Sequence, residues 1–160
     1  TLTTALKNDA IPLESISVAI AGMQQTNRAA LPAMRQAQIK SATDITGFGL
    51  LGHLAEQIKA SNVLAYIDKN LIPHYPQAMQ TLEMGYKTAA NARNKDYAQS
   101  MTSIHGDIDS ILLDPQTSGG LLLAAPLETC TTLIHELKEV GYTQTVQIGY
   151  TEKGVGIHLQ

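Results

Sequence analysis

Apolar positions recur along this chain in changing rhythms, and each change of rhythm marks an element. Leu13, Ile16, Ala19, Ile20 and Met23 return near every 3.6 residues behind Pro12, which suits a helix's first turn, and predict a helix with one buried stripe. Asn27 is placed to cap a second short helix carrying Ala30, Ala33, Met34 and Ala37, with Pro32 compatible only with its first turn. A short strand is expected over residues 39–43. Leu50, Leu51, Leu54, Ala55 and Ile58 then form an amphipathic helical stripe ending near Ser61-Asn62, so the Asp44 to Gly49 loop joins strand to helix.

Residues 63–67 read as a second strand, and Pro73 and Pro76 interrupt the chain before a short helix over 77–83. Residues 85–110 are polar and show no usable pattern, so no element is expected there. Leu121 to Ala125 reads as a buried strand, and Cys130, Leu133, Ile134, Leu137 and Val140 make a helical stripe closed by Gly141. The period then falls to two. Val146, Ile148 and Tyr150, followed beyond Lys153-Gly154 by Val155, Ile157 and Leu159, alternate as a two-stranded hairpin. Helices and strands interleave while the chain closes on an antiparallel pair, which favours an α+β fold, a mixed β-sheet with packed helices, over an all-parallel doubly wound one.

With 160 residues and 44% apolar content, the chain suffices for one ordinary domain. Eleven Lys plus Arg against fourteen Asp plus Glu give a net charge of −3 with no basic run, which argues against nucleic acid as a partner. The longest purely apolar stretch, Leu121 to Ala125, falls far short of the ~20 residues that cross a bilayer, so no membrane association and a cytoplasmic location are expected. A single cysteine, Cys130, has no partner for an internal disulfide and suits a reducing compartment; on an apolar helical face it reads as a small hydrophobe without a redox role. The opening Thr-Leu-Thr-Thr-Ala-Leu-Lys, helix-like from its first residue and without an initiator Met, reads as cut from a longer polypeptide.

Two glycine-dense runs concentrate the candidate chemistry. In Thr43-Asp44-Ile45-Thr46-Gly47-Phe48-Gly49-Leu50-Leu51-Gly52-His53, the carboxylate of Asp44 sits at a strand's end before a helix, where it either caps the turn or serves as an oxygen ligand for a hard cation such as Mg²⁺. Position alone favours the cap. The glycines of this loop fit tight packing and the presentation of backbone N–H groups to a phosphate equally well. In Asp114-Pro115-Gln116-Thr117-Ser118-Gly119-Gly120-Leu121-Leu122, the hydroxyls of Thr117 and Ser118 with the following amides can hold an anion, or the run is a tight entry into a strand. Spacing favours the structural reading. Cofactor-contact candidates are thus Thr46, Gly47, Gly49, Thr117 and Ser118. Neither run holds a nucleophile-base pair.

The five histidines, at 53, 74, 105, 135 and 158, show no compact ligand spacing, and His53 reads as a structural histidine on its helix's polar-to-apolar border. Asp107, Asp109 and Asp114 read as a solvated acidic loop.

The runs Ala42 to His53 and Asp114 to Leu122, in this order and separation, closely resemble the C-terminal half of the selenophosphate synthetase (selenide, water dikinase) family, within the aminoimidazole ribonucleotide synthetase superfamily. Leu2 to Lys7, Thr26 to Ala30 and the closing Ile148-Gly149 segment add to the match, which spans essentially the whole chain. Phe48, Gly52 and His53 separate it from superfamily relatives with a Thr-Gly-Gly-Gly type of loop. Gly85 to Asn91 matches a family segment only loosely and carries no expected role.

The resemblance implies a fold like the C-terminal domain of aminoimidazole ribonucleotide synthetase, with residues 1–160 a single C-terminal domain whose N-terminal nucleotide domain is absent. It implies an enzyme that takes ATP, selenide and water to selenophosphate, AMP and phosphate. Asp44 then corresponds to the aspartate that helps bind Mg²⁺ at the nucleotide phosphates, which reverses the preference for a mere cap. The nucleophilic Cys or selenocysteine, a Lys and further metal-binding aspartates belong to the N-terminal domain, so ATP and selenide are engaged through that domain. No catalytic residue is expected in this chain, which alone should not turn over ATP, and the full-length protein is expected to be a homodimer. Two rivals remain: another ATP-dependent superfamily member, and a non-catalytic interaction module.

Overall fold

A computed structural model describes residues 1–160. In chain order it contains α1 (Leu2–Lys7), α2 (Ser17–Gln24), α3 (Leu31–Gln36), β1 (Ser41–Asp44), α4 (Gly49–Ser61), β2 (Val63–Ile67), α5 (Ala78–Glu83), α6 (Ala90–Met101), β3 (Ile104–His105), β4 (Leu121–Ala124), α7 (Leu127–Glu139), β5 (Gly149–Lys153) and β6 (Gly156–Leu159), with short 3-10 turns between some of them. The strands form two sheets: an antiparallel ribbon of β1 and β4, and a mixed sheet in the order β3-β6-β2-β5. The expected α+β class and its mixed sheet with packed helices are what the chain forms.

The main core lies between the mixed sheet and α4. Leu51, Leu54, Ala55 and Ile58 on α4 meet Ala65, Ile67, Ile157 and Leu159 on the strands, joined by Ala98 of α6 and by Leu112 and Leu113. Leu51, Leu54, Ile58, Ile67 and Ile157 are each 5% exposed or less, and burying a side chain of this size contributes about 1.5–3 kcal/mol. α4 ends where its stripe ends: Asn62 turns into the left-handed region, φ 52°, and its N–H returns to the Ile58 carbonyl. A second cluster packs Ala30, Ala33 and Ala37 of the α3 region against Leu133 and Leu137 of α7, with Leu121 and Leu123 of β4 beneath. A third gathers Leu2, Ile16, Ala19 and Ala78.

Several expectations are corrected. The closing alternation does not fold into a hairpin: β2 inserts between β5 and β6, antiparallel to the first and parallel to the second. Pattern reveals that two segments are extended but not what pairs with them, and the apolar five-residue β2 offers both of its edges. The first strand lies at Ser41–Asp44, shifted toward the loop relative to 39–43, and β4 is half-buried where a buried strand was expected. Asn27 caps no helix; its side-chain amide donates to the Gly119 carbonyl at 3.2 Å. Val140 falls outside α7 and is exposed.

The largest correction concerns residues 85–110, which contain the twelve-residue α6. Its inward positions Asn91, Asn94 and Ala98 keep helical spacing, but two of the three are polar, so no apolar stripe exists to be read.

Candidate functional site

Both glycine-dense runs meet at one end of the β1–β4 ribbon, because the register pairs Asp44, the last residue of β1, with Leu121, the first of β4. The contact continues past the strands. Ile45 donates its N–H to the Gly120 carbonyl at 2.8 Å, and Gln116 donates its own to the Thr46 carbonyl at 3.0 Å. Gly119 lies so close to Ile45 that a Cβ there would come within 2.0 Å of its carbonyl oxygen. Only a residue without a side chain permits that approach.

The Asp44 side chain is exposed and makes no hydrogen bond or ion pair; only its main-chain carbonyl is engaged, by Thr43 Oγ1 at 3.1 Å. It caps neither the turn nor α4, whose N-cap is Phe48. No three His, Cys, Asp or Glu side chains converge to hold a metal ion anywhere in the chain. A cation at Asp44 would therefore take its remaining donors from water, a ligand or another polypeptide segment, the mode in which Mg²⁺ is usually held, by one or two carboxylates.

Beyond Asp44 the loop is braced from three directions. Gly49, buried with φ +68°, would place a Cβ 2.8 Å from the Leu112 carbonyl oxygen, and its N–H is given to the Thr46 carbonyl at 3.1 Å. Gly47 faces open space, and its carbonyl accepts Asn94 Nδ2 at 2.9 Å. Thr46 Oγ1 lies 3.2 Å from His53 Nε2. On its other side, His53 Nδ1 sits 3.0 Å from Glu56 Oε2, while Glu56 Oε1 accepts the Tyr97 hydroxyl at 2.6 Å. The hydrogen bond to Glu56 raises the Tyr97 hydroxyl above the ordinary tyrosine value, with desolvation and the nearby negative charge adding to it. Phe48 stacks on Tyr97 at 4.2 Å between ring centroids and leans on His53 at 5.6 Å.

The second run employs its carboxylate differently. Asp114 is 7% exposed, not solvated as the acidic loop was expected to be. Its Oδ1 accepts Thr1 Oγ1 at 2.6 Å, and its Oδ2 accepts Gln116 Nε2 at 3.2 Å. A carboxylate with its lone pairs so engaged holds structure together and has little left for a ligand. Thr117 and Ser118 are exposed and their hydroxyls bond to nothing in the chain, with Ser118 at φ +55°.

Sequence patterning missed Asn94. Buried at 4% exposure, it donates from Nδ2 both to Gly47 and to the Leu113 carbonyl, each at 2.9 Å, tying the first loop to the residue preceding Asp114. Asn91 likewise donates to the Ser110 carbonyl at 3.1 Å. The legible signal was the dense run of helix-forming residues from Ala89 to Met101. Among the remaining histidines, His135 forms only a 4.0 Å pair with Glu139. His105 and His158 lie tilted at 4.7 Å between ring centroids, continuing through Tyr66 to Tyr150 as a row of rings across the outer face of the mixed sheet. A hollow of about 350 Å³ on that sheet, lined by Tyr66, Asp68 and Tyr150 among others, shares no residue with either glycine run. No helix is long and apolar enough to cross a membrane.

Known proteins are similar to this chain in sequence. Selenide, water dikinase of Clostridioides difficile is 34% identical over 152 residues, 92% of this chain and 44% of that protein. The enzyme of the same name from Paraburkholderia xenovorans is 33% identical over 159 residues, 97% and 45% respectively. Selenide, water dikinase 2 of Peptoclostridium acidaminophilum is 40% identical over 122 residues, 74% and 35%. The resemblance drawn from the two glycine runs is thus matched by overall similarity, and the chain spans less than half the length of these relatives. In fold it is similar to the hydrogenase maturation protein HypE in complex with ATP, with a TM-score of 0.58 at 16% identity over 81% of this chain and 32% of that one. A second HypE structure gives 0.55 at 15% identity, covering 81% and 34%. Residues 14–160 match the AIR synthase related protein, C-terminal domain, and the chain belongs to that family.

Proposed function

We propose that this chain is the C-terminal domain of a selenide, water dikinase, and that Asp44 supplies one carboxylate to a Mg²⁺ site at the phosphates of ATP. The observation that carries the reading is the state of Asp44: an exposed, unpartnered carboxylate on a loop that His53, Asn94 and Gln116 brace from within. Asp114, the acid of the second run, is by contrast engaged by the Thr1 hydroxyl and Gln116. The relatives named selenide, water dikinase support the activity, and their greater length supports a catalytic part outside these residues.

Oxygen ligands suit the ion, and the residues present fit one wall of such a site. When bound, Mg²⁺ supplies charge neutralisation at phosphate oxygens. The chain's own residues orient the loop: Asn94 and Gln116 fix its backbone, His53 fixes Thr46, and the Gly119 contact keeps the second loop against it. Thr117 and Ser118 present free hydroxyls on that second loop, at the same end of the ribbon, where they are available to an anion.

The test is an assay of the full-length protein for selenide-dependent conversion of ATP to AMP and phosphate. The proposal predicts turnover that requires selenide and Mg²⁺, and none from residues 1–160 alone. ATP consumption driven by a ribonucleotide substrate and indifferent to selenide would assign the chain to another branch of the superfamily.

A further inference from the structure

We propose that Tyr97, Glu56 and His53 form a positioning chain that holds the Thr46 hydroxyl as a hydrogen-bond acceptor toward the ligand, so that the Asp44 loop takes a hydrated divalent cation in preference to bare anionic oxygens. The ligand class rests on the reading of Asp44 as a cation ligand; the hydrogen-bond chain does not.

An ionised carboxylate only accepts hydrogen bonds. Glu56 Oε1 takes the Tyr97 hydroxyl at 2.6 Å, and the raised Tyr97 value agrees with a phenol that keeps its proton. Glu56 Oε2 then requires a proton on His53 Nδ1, 3.0 Å away. In the neutral ring, a proton on Nδ1 leaves Nε2 bare, and Nε2 has to accept. The group facing it is Thr46 Oγ1 at 3.2 Å, to which this tautomer assigns the donor role. What remains on that hydroxyl is lone pairs. Such an oxygen faces water bound to a cation favourably and a phosphate oxygen unfavourably.

Packing makes the arrangement a fixed one. His53 is 8% exposed, and its ring is confined by Phe48, which is itself stacked on Tyr97. The Thr46 carbonyl is occupied by the amides of Gly49 and Gln116, and its hydroxyl meets His53. Thr46 stands two residues beyond the unpartnered carboxylate of Asp44. Partners one step behind a metal ligand act in this way, orienting the inner groups, and their loss typically costs about 10–100-fold in metal affinity.

The tautomer is read directly by nitrogen-15 NMR of imidazole-labelled histidine in the full-length protein, with His53→Gln assigning the signal. The Nδ1–H form is expected in the unaltered protein, and Glu56→Ala should return the ring to Nε2–H. In the Mg²⁺ dependence of turnover, Thr46→Val and Glu56→Ala should each raise the half-saturating Mg²⁺ concentration about tenfold with the KM for ATP changed less than about twofold. Thr46→Ser, which keeps the hydroxyl, should restore the original value. An Nε2–H tautomer in the unaltered protein overturns the positioning chain without touching the functional reading. A Thr46→Val protein with unchanged Mg²⁺ dependence overturns the assigned ligand class. Loss of the functional reading itself would appear differently, as absence of Mg²⁺-dependent turnover in the unaltered protein.

Discussion

The two glycine runs begin alike, each with an aspartate that opens a turn into an apolar segment, and the fold gives those aspartates opposite employment. Asp114 is buried and its oxygens are taken by Thr1 and Gln116. The Asp44 side chain is exposed and bound to nothing. The difference arises one level above the sequence motif. Asp114 follows the buried residues Leu112 and Leu113, so the main core draws it inward, whereas Asp44 ends a strand of a two-stranded ribbon whose alternation turns it outward. A shared motif therefore marks where a loop is shaped and leaves open whether its acid is structural or presented. One run acts as the platform and the other presents a free carboxylate.

That division can be broken most severely at the contact between the runs. Gly119→Ala drives a Cβ into the Ile45 carbonyl oxygen and is expected to cost about 3 kcal/mol in urea denaturation, because both partners are backbone and neither can swing aside. Gly47→Ala, in the opposite loop and facing open space, should stay within about 0.5 kcal/mol. Next in size is Asp114→Ala, which leaves the buried Thr1 hydroxyl without its acceptor and should cost about 2 kcal/mol. Asn94→Ala, stranding the carbonyls of Gly47 and Leu113, belongs in the same range, about 1–3 kcal/mol, and should also increase hydrogen exchange at the amides of both loops.

Tyr97→Phe is expected to have a smaller effect with a distinctive pH dependence. Since the folded-state value of Tyr97 is raised, the stabilisation is fully present below the ordinary tyrosine pKa of about 10 and is lost as pH rises through the folded value. The stability gap between Tyr97→Phe and the unaltered protein should hold steady from about pH 6 to 9 and close above about pH 10. A gap that widened in alkali would show that the hydroxyl is not tied to Glu56.

What could be read in advance follows physical lines. α4 was legible because its apolar residues keep one period up to Asn62, and β2 because its short unbroken apolar run stops at Asp68. The Asp44 loop was legible as a strand-to-helix turn for the same reason. α6 was not, since its buried face is built on Asn91 and Asn94, whose value lies in hydrogen bonds to backbone carbonyls 19 and 47 residues away. Strand pairing was equally out of reach: β5 and β6 alternate correctly, but the choice of β2 as their common partner depends on edges that local pattern does not encode. The bracing of Thr46 by His53, Glu56 and Tyr97 joins residues on two helices and a loop, and only the fold brings them together.

The account rests on Asp44 being a presented metal ligand with no structural duty, and Asp44→Asn in the full-length protein tests that most directly when stability and metal dependence are measured on the same preparation. The predicted result is a urea midpoint equivalent to a change of less than about 0.5 kcal/mol, together with loss of Mg²⁺-dependent ATP turnover. A substantially destabilised protein, or one whose Mg²⁺ dependence and turnover match the unaltered protein, would contradict it.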